Sequence, residues 1–221
     1  MQMIDILITY HEAFLKGLSV TLQLAGITWL SGILLGSGLG VLSARWPISW
    51  GFVIRGISFF LSGIPILVML FWLHYPAQQL LGIVIDPFFT AALVLSLVNV
   101  FGVEMIVRGA IEAVPREFRD AGRVSGLSCQ TIIFRIDLPL VLRHILSPLL
   151  VSQIVMLHMT LFASLISVEE LLRVSQRINS QIYRPVEIYT ALGLFFLMIS
   201  LPVNGLALML KQKFGRDFSE R

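Results

Sequence analysis

Residues 188–210 read IYTALGLFFLMISLPVNGLALML, 23 positions without an Asp, Glu, Lys or Arg. A helix needs about 20 apolar residues to cross a bilayer core, and this run has that length. The pattern recurs outward from it. Charge-free stretches of 28, 30, 17 and 25 residues separate Lys16 from Arg45, Arg55 from Asp86, Asp86 from Glu104, and Arg143 from Glu169. Spans are therefore expected at 17–42, 52–74, 87–107, 145–167 and 188–210. The third is short by charge count, and an i,i+4 pair of Glu104 with Arg108, or snorkelling to the interface, would close it. The expected fold is all-α integral membrane: five transmembrane helices forming a single domain over residues 1–221.

Composition agrees. Hydrophobic residues make up 57% of the 221 and charged residues 13%, against about half and a quarter in soluble domains. Too few polar groups are present to cover a water-soluble surface, and disorder, collagen and disulfide scaffolds are excluded on the same ground. Cys129 has no second cysteine to pair with inside the chain. The net charge of +3 comes from the loops and gives nucleic-acid binding little support.

The loops also orient the bundle. Alternate connecting segments carry twelve Lys and Arg on one side and four on the other. Positive residues accumulate in the cytoplasm, so the N-terminus is expected outside and the C-terminus inside. The first apolar run is too long for a cleavable signal. The segment up to His11 is read either as a short interfacial helix or as a tail.

Within the spans, Gly32–Gly36 and Gly36–Gly40 have the spacing that lets membrane helices approach closely, in the chain or against a second subunit. Gly63-Ile64-Pro65 breaks the second span, because proline frees a backbone carbonyl. Broken helices at membrane depth often line a substrate path, although a plain kink is commoner. Asn99, Gln153, His158 and Thr160 are polar residues deep in the third and fourth spans, where such groups seek the bundle interior or a wet cavity. Together with Pro65 they form the candidate substrate pathway. A purely structural reading stands beside each of them.

Catalysis has little to stand on. Lys16, Lys211 and Lys213 are followed by Gly, Gln and Phe, so no phosphate-binding Gly-Lys-Ser/Thr loop exists. His11, His74, His144 and His158 are far apart in sequence and offer no metal-ligand set. No nucleophile elbow occurs. The chain is expected to be no enzyme, with no catalytic residue, metal or cofactor of its own.

The loop at about 109–143 is too long and too patterned for a passive connector. Pro115 suits a first helical turn. From there to Ser125, Phe118, Ala121, Gly122 and Ser125 share one face, while Arg116, Glu117, Asp120 and Arg123 share the other. Arg116 and Asp120 have i,i+4 spacing. Gly126 stops the helix, and Ser128 caps a second one over roughly 129–136, which is expected to end at Leu138-Pro139. A short helix with a bulky anchor and a small-residue face suits either a partner's groove or the lipid surface.

Spacing then makes a family resemblance specific. Permease subunits of ATP-binding-cassette importers carry a cytoplasmic Glu-Ala-Ala, three residues, Gly, nine residues, Ile, one residue, Leu-Pro. This chain has Asp120-Ala121-Gly122, three residues, Gly126, nine residues, Ile136, Asp137, Leu138-Pro139. Arg108-Gly109-Ala110-Ile111, Gly17-Leu18 with Thr21-Leu22, Ile166-Ser167-Val168-Glu169-Glu170-Leu171 and Arg184-Pro185-Val186-Glu187-Ile188-Tyr189 resemble the polar amino-acid (histidine, glutamine, glutamate) group, so the likeness covers about 17–215.

The resemblance implies a transport subunit for amino acids or close analogues in the cytoplasmic (inner) membrane of a prokaryote. The loop would be a coupling helix between the third and fourth spans, with Arg116, Glu117, Phe118, Arg119, Asp120, Ala121, Gly122 and Gly126 in contact with the ATPase. Phe118 would anchor it, and Arg116, Glu117, Arg119 and Arg123 would make rim contacts. The implied partners are an ABC ATPase homodimer holding ATP and Mg²⁺, a second permease subunit identical or paralogous, the lipid bilayer and an extracytoplasmic solute-binding protein. Glu169, Glu170, Arg173, Arg177 and Arg184 would dock that protein or simply form a solvated loop.

Departures from the family pattern cluster at the substrate motifs. Ser62-Gly63-Ile64-Pro65 stands for Arg-Gly-Thr-Pro, Phe101-Gly102 for Ala-Tyr, and His158-Met159-Thr160-Leu161-Phe162 for Lys-x-Thr-Ser-Leu. Glu104 sits one residue ahead of the usual acidic position, which Met105 takes. Either this subunit is the less substrate-engaged half of a heterodimer, or its substrate is less polar. The rival readings are a self-sufficient channel or ion-coupled carrier, an intramembrane enzyme, and a non-transporting scaffold or sensor on a permease-like fold.

Overall fold

A computed structural model describes residues 3–219, with side chains described as far as Lys213. Among the described residues every regular element is helical. Four helices are long and apolar enough to cross a membrane, His11–Arg45, Pro87–Glu112, Cys129–Ile166 and Pro185–Lys213, and a bent pair makes up to five. These correspond to the first, third, fourth and fifth expected spans.

The bent pair falls where the second span is expected. Trp50–Ser62 and Ile66–Leu81 meet at 90°. The cause is local. Gly63 ends the first leg, and Pro65, with ψ of 135°, leaves helical space and presents no N–H to continue the ladder. The second leg turns again at Tyr75 and stops at Gly82, whose φ is +63°.

The third span is the axis of the bundle. Asp86 caps it by accepting from the Phe88 N–H at 2.8 Å. It packs against the first, second and fourth spans and is the most buried of the long helices. Glycines on the first span permit that approach. A Cβ on Gly36 would lie 2.6 Å from the Val100 carbonyl oxygen, and one on Gly40 2.8 Å from Val107 Cβ. One on Gly32 would overlap the Asn99 amide. The four-residue glycine spacing is thus used within the chain, and Gly26 and Gly38, on the remaining surface, have nothing within 4 Å of an added Cβ. A widened π-turn runs from Gly32 to Gly36 along the same contact.

At the far end of this helix pair, Leu171–Ile182 leans on the first span. Thr21 Oγ1 accepts from the Leu171 N–H at 3.1 Å and donates to the Gly17 carbonyl at 3.0 Å. A Cβ on Gly17 would meet Val174 Cγ2 at 2.9 Å, which explains a glycine there. The N-terminal segment is a helix, Met3–Thr9, that buries Ile6 with Phe14, Leu171 and Ile188. Of its two readings in sequence, the tail is set aside.

The fourth span corrects a boundary. The helix begun at Cys129 was expected to end at Leu138-Pro139, yet it runs without a break through Pro139 to Ile166. A π-turn at Ile133–Asp137 precedes the proline. It widens the helix where the missing Pro139 N–H and its ring would otherwise disturb the preceding turn.

Candidate coupling loop and buried polar network

The polar loop folds as two legs. The first is a helix, Arg116–Val124, entered from Pro115. It ends in a tight reversal. Ser125 N–H bonds the Ala121 carbonyl, Gly126 N–H the Arg123 carbonyl and Leu127 N–H the Gly122 carbonyl, each at 3.0 Å. Gly126 has φ of +74°, the left-handed conformation that glycine adopts without penalty. Ser128 then caps the second leg, its Oγ accepting from the Thr131 N–H at 3.2 Å.

The two legs are fastened to each other. Gly122 is buried, and a Cβ there would press on Ile132 Cγ1 at 3.1 Å and Ile136 Cδ1 at 3.2 Å. Arg119 Nε donates to Asp137 Oδ1 at 2.9 Å, and its Nη2 reaches the Ile111 carbonyl at 3.5 Å. Two expectations are corrected here. Gly122 and Arg119 face inward against the second leg, because the reversal at Gly126 folds one leg onto the other. Asp120 pairs with Arg123 at 3.5 Å, three residues on, and not with Arg116. Arg116, Glu117, Asp120, Ala121 and Arg123 stay on the exposed surface, as does Phe118, 41% exposed.

The five pathway candidates separate. Asn99 and Gln153, both buried, exchange their amides across the third and fourth spans. Asn99 Nδ2 donates to Gln153 Oε1 at 2.9 Å and to the Thr28 carbonyl at 2.7 Å, and Gln153 Nε2 returns to Asn99 Oδ1 at 3.4 Å. Trp29 Nε1 adds a bond to the Gln153 carbonyl at 2.8 Å. Polar groups that bond one another in the interior hold helices together, and Asn99 and Gln153 are engaged with each other in this way. Thr160 is buried too and spends its hydroxyl on the Leu157 carbonyl at 2.7 Å. His158 lies on the exposed side of the fourth span, edge-on to Phe196 with ring centroids 5.9 Å apart. Pro65 sits exposed at the bend.

Three further arrangements involve buried polar side chains, of which the sequence anticipated only the pairing of Glu104 with Arg108. Glu104 is buried and accepts from Arg108 Nε at 2.9 Å, as its spacing predicted, but its second oxygen has no partner. On the short leg after the bend, Gln78 Nε2 donates to Thr90 Oγ1 at 3.2 Å while its Oε1 accepts from the Ile85 N–H at 2.8 Å. Glu170 is buried and caps Leu171–Ile182, accepting from the Leu172 and Arg173 N–H groups at 2.9 and 2.8 Å. Burial pushes its carboxyl up to about 7, against the opposing pull of those two bonds and with a small addition from Glu169. A buried cap presents nothing to a partner, so Glu170 leaves the docking set. Glu169 pairs with Arg177 at 2.7 Å and Arg184 with Glu187 at 3.4 Å on the surface. The signal for the Glu170 cap was present: an acid immediately before an amphipathic helical run.

Among the described residues no three His, Cys, Asp or Glu side chains gather as a metal-ligand group.

The chain matches the family described as binding-protein-dependent transport system inner membrane component over residues 32–216. It is 32% identical over 184 residues to the glutamine transport system permease protein GlnP of Escherichia coli (strain K12), covering 80% of this chain and 84% of that one. It is 25% identical over 220 residues to the histidine/lysine/arginine/ornithine transport system permease protein HisQ of Salmonella typhimurium, covering 93% and 95%. Its fold resembles that in a crystal structure of an amino acid ABC transporter with a TM-score of 0.84 at 24% identity, over 96% of this chain and 99% of that one.

Proposed function

Because the chain belongs to the inner-membrane components of binding-protein-dependent transport systems, we propose that it is the permease subunit of an ATP-binding-cassette importer for amino acids or close analogues. Both relatives carry amino-acid substrates in their names. In this reading the chain sits in the inner membrane of a prokaryote with its N-terminus outside and crosses it five times, the bent pair counting as one span. It hydrolyses nothing itself. A separate ATPase pair binds ATP and Mg²⁺ in the cytoplasm, and a solute-binding protein delivers substrate to the outer face.

The observation that carries the coupling role is the folded loop. A nine-residue helix, Arg116–Val124, lies packed on the start of the Cys129–Ile166 helix with Phe118 exposed at its side and Gly126 setting its reversal. A helix that short has no stability alone. Held on a rigid second leg, it is suited to sit in a partner's groove, with Phe118 as anchor and Arg116, Glu117, Asp120, Ala121 and Arg123 around it. Charged groups at such a rim set orientation more than affinity.

The substrate path is proposed between two permease subunits, since Asn99, Gln153 and Thr160 are consumed inside this one. His158 is the pathway candidate that keeps an exposed ionisable ring at membrane depth. Such a group is costly against lipid, which favours a second subunit or a wet path beside it. Pro65, at the bend, faces outward as well.

The test is purification of the intact chain with its ATPase, a second permease and the binding protein, followed by assay of ATP-driven uptake. Phe118→Asp and Gly126→Arg are expected to abolish coupled uptake while membrane insertion is retained. Normal uptake by both variants would overturn the assignment of the loop.

A further inference from the structure

The short helix Arg116–Val124 has to hand its movement to one of the two spans it lies between, and the contacts are unequal. Toward the third span there is the chain itself, through Ala113-Val114-Pro115, and one long bond from Arg119 Nη2 to the Ile111 carbonyl at 3.5 Å. Toward the fourth span there is a packed seam, with Gly122 seated against Ile132 and Ile136, and a charge-assisted bond from Arg119 Nε to Asp137 Oδ1 at 2.9 Å.

We propose that Arg119 and Asp137 are a positioning pair that welds the coupling helix to the cytoplasmic start of the fourth span, so that displacement of the loop is delivered to Cys129–Ile166. This rests on the coupling role proposed above and assigns it a route.

The placement of Asp137 supports the route. It sits between Ile136 and Leu138 and closes the π-turn Ile133–Asp137 just ahead of Pro139. Its partner lies 18 residues back on the other leg. Both side chains are only part-buried, at 31% and 19% exposure for Arg119 and Asp137, and an ion pair so exposed contributes little to folding. A directional bond of low stabilising value at the joint of two legs serves to fix their angle. The reversal at Gly126 and the Gly122 seam fold the two legs together near the turn, and the Arg119–Asp137 bond adds a fixed point farther from it, where the second leg enters the fourth span. Beyond the joint the helix runs on through Pro148 to Met159 and tightens to a 3₁₀ turn at Thr160–Ile166, so a displacement imposed at Asp137 enters the span directly.

The experiment uses the full transporter in proteoliposomes and compares Arg119→Ala, Asp137→Asn and the charge swap R119D/D137R. Readouts are co-purification of the ATPase, ATP hydrolysis and substrate moved per ATP. Both single variants are expected to retain the ATPase and to hydrolyse ATP while moving several-fold less substrate per ATP. The swap is expected to recover most of that ratio. A wild-type ratio in both singles, a swap no better than the singles, or loss of the ATPase from the purified complex would each overturn the pair's role. Phe118→Asp separates this from failure of the underlying reading. If that variant also transports normally, the loop is not the coupling element; if it is inactive while the singles are normal, only the Arg119–Asp137 route fails.

Discussion

Asn99 and Gln153 satisfy each other's amides in the interior, at 2.9 and 3.4 Å, although 54 residues separate them in the chain. Asn99 also donates to the Thr28 carbonyl, and Trp29 donates to the backbone carbonyl of Gln153. One small network thus joins the first, third and fourth spans.

Removing one member strands the other. Asn99→Leu leaves the Gln153 amide and the Thr28 carbonyl without that partner, at an expected cost of about 1–2 kcal/mol. The double variant N99L/Q153L removes both needs at once and is expected to be closer to wild type than the single. Thermal unfolding in detergent measures both. A lower midpoint in the double than in the single would show that the two amides do not act as a pair.

The first span offers a sharper contrast between its glycines. Gly36→Ala places a Cβ against backbone at Val100, which cannot swing aside, so the helices must part. Overpacking of this kind costs about 1–3 kcal/mol. Gly38→Ala meets nothing within 4 Å and gains helix propensity. Unfolding midpoints are expected to fall for Gly36→Ala and to hold for Gly38→Ala. Equal losses would mean that the surface around Gly38 is packed in the assembled transporter.

Much of this was legible because it is local. Charge-free runs mark the long helices, Gly63-Ile64-Pro65 marks the bend, and Gly126 with Ser128 marks the reversal and the next cap. What the sequence hid depends on where distant atoms meet. Gly122 shares a face with Phe118 in sequence, and only the fold of one leg on the other turns it inward. Leu138-Pro139 reads as a stop, yet a π-turn carries the helix through it. Nothing in the spacing of Arg119 and Asp137 announces a bond across a turn. Asn99, Gln153 and Thr160 look like a path because depth and polarity are visible, whereas saturation by partners is not.

Glu170 makes stability depend on pH. Its carboxyl, ordinarily near 4.5, is pushed up to about 7 by burial. Between those values the folded state holds a proton that the unfolded chain has released. Stability is therefore fullest below about 4.5, declines as pH rises toward 7, and levels off above it. Glu170→Gln removes the titration while keeping an oxygen to accept from the Leu172 or Arg173 N–H. The variant is expected to unfold at a higher temperature than wild type at pH 8 and to lose that advantage at pH 4. A wild-type midpoint that rises from pH 5 to pH 8, with the Glu170→Gln variant following the same course, would refute the buried carboxyl as the origin.

Gly126 decides how far the loop proposed to meet the ATPase tolerates change. An added Cβ would touch nothing within 4 Å, so sterics with neighbours do not demand glycine; the φ of +74° does. Asparagine enters the left-handed region at modest cost, alanine less readily, and a β-branched residue least of all. Uptake driven by ATP is expected to fall in the order Gly126→Asn, Gly126→Ala, Gly126→Val, with roughly 1 kcal/mol or more of backbone strain separating the extremes. If side-chain volume governed instead, alanine would be the mildest of the three, because it is the smallest. The relative rank of asparagine and alanine therefore separates a conformational requirement from a docking surface that cannot admit bulk.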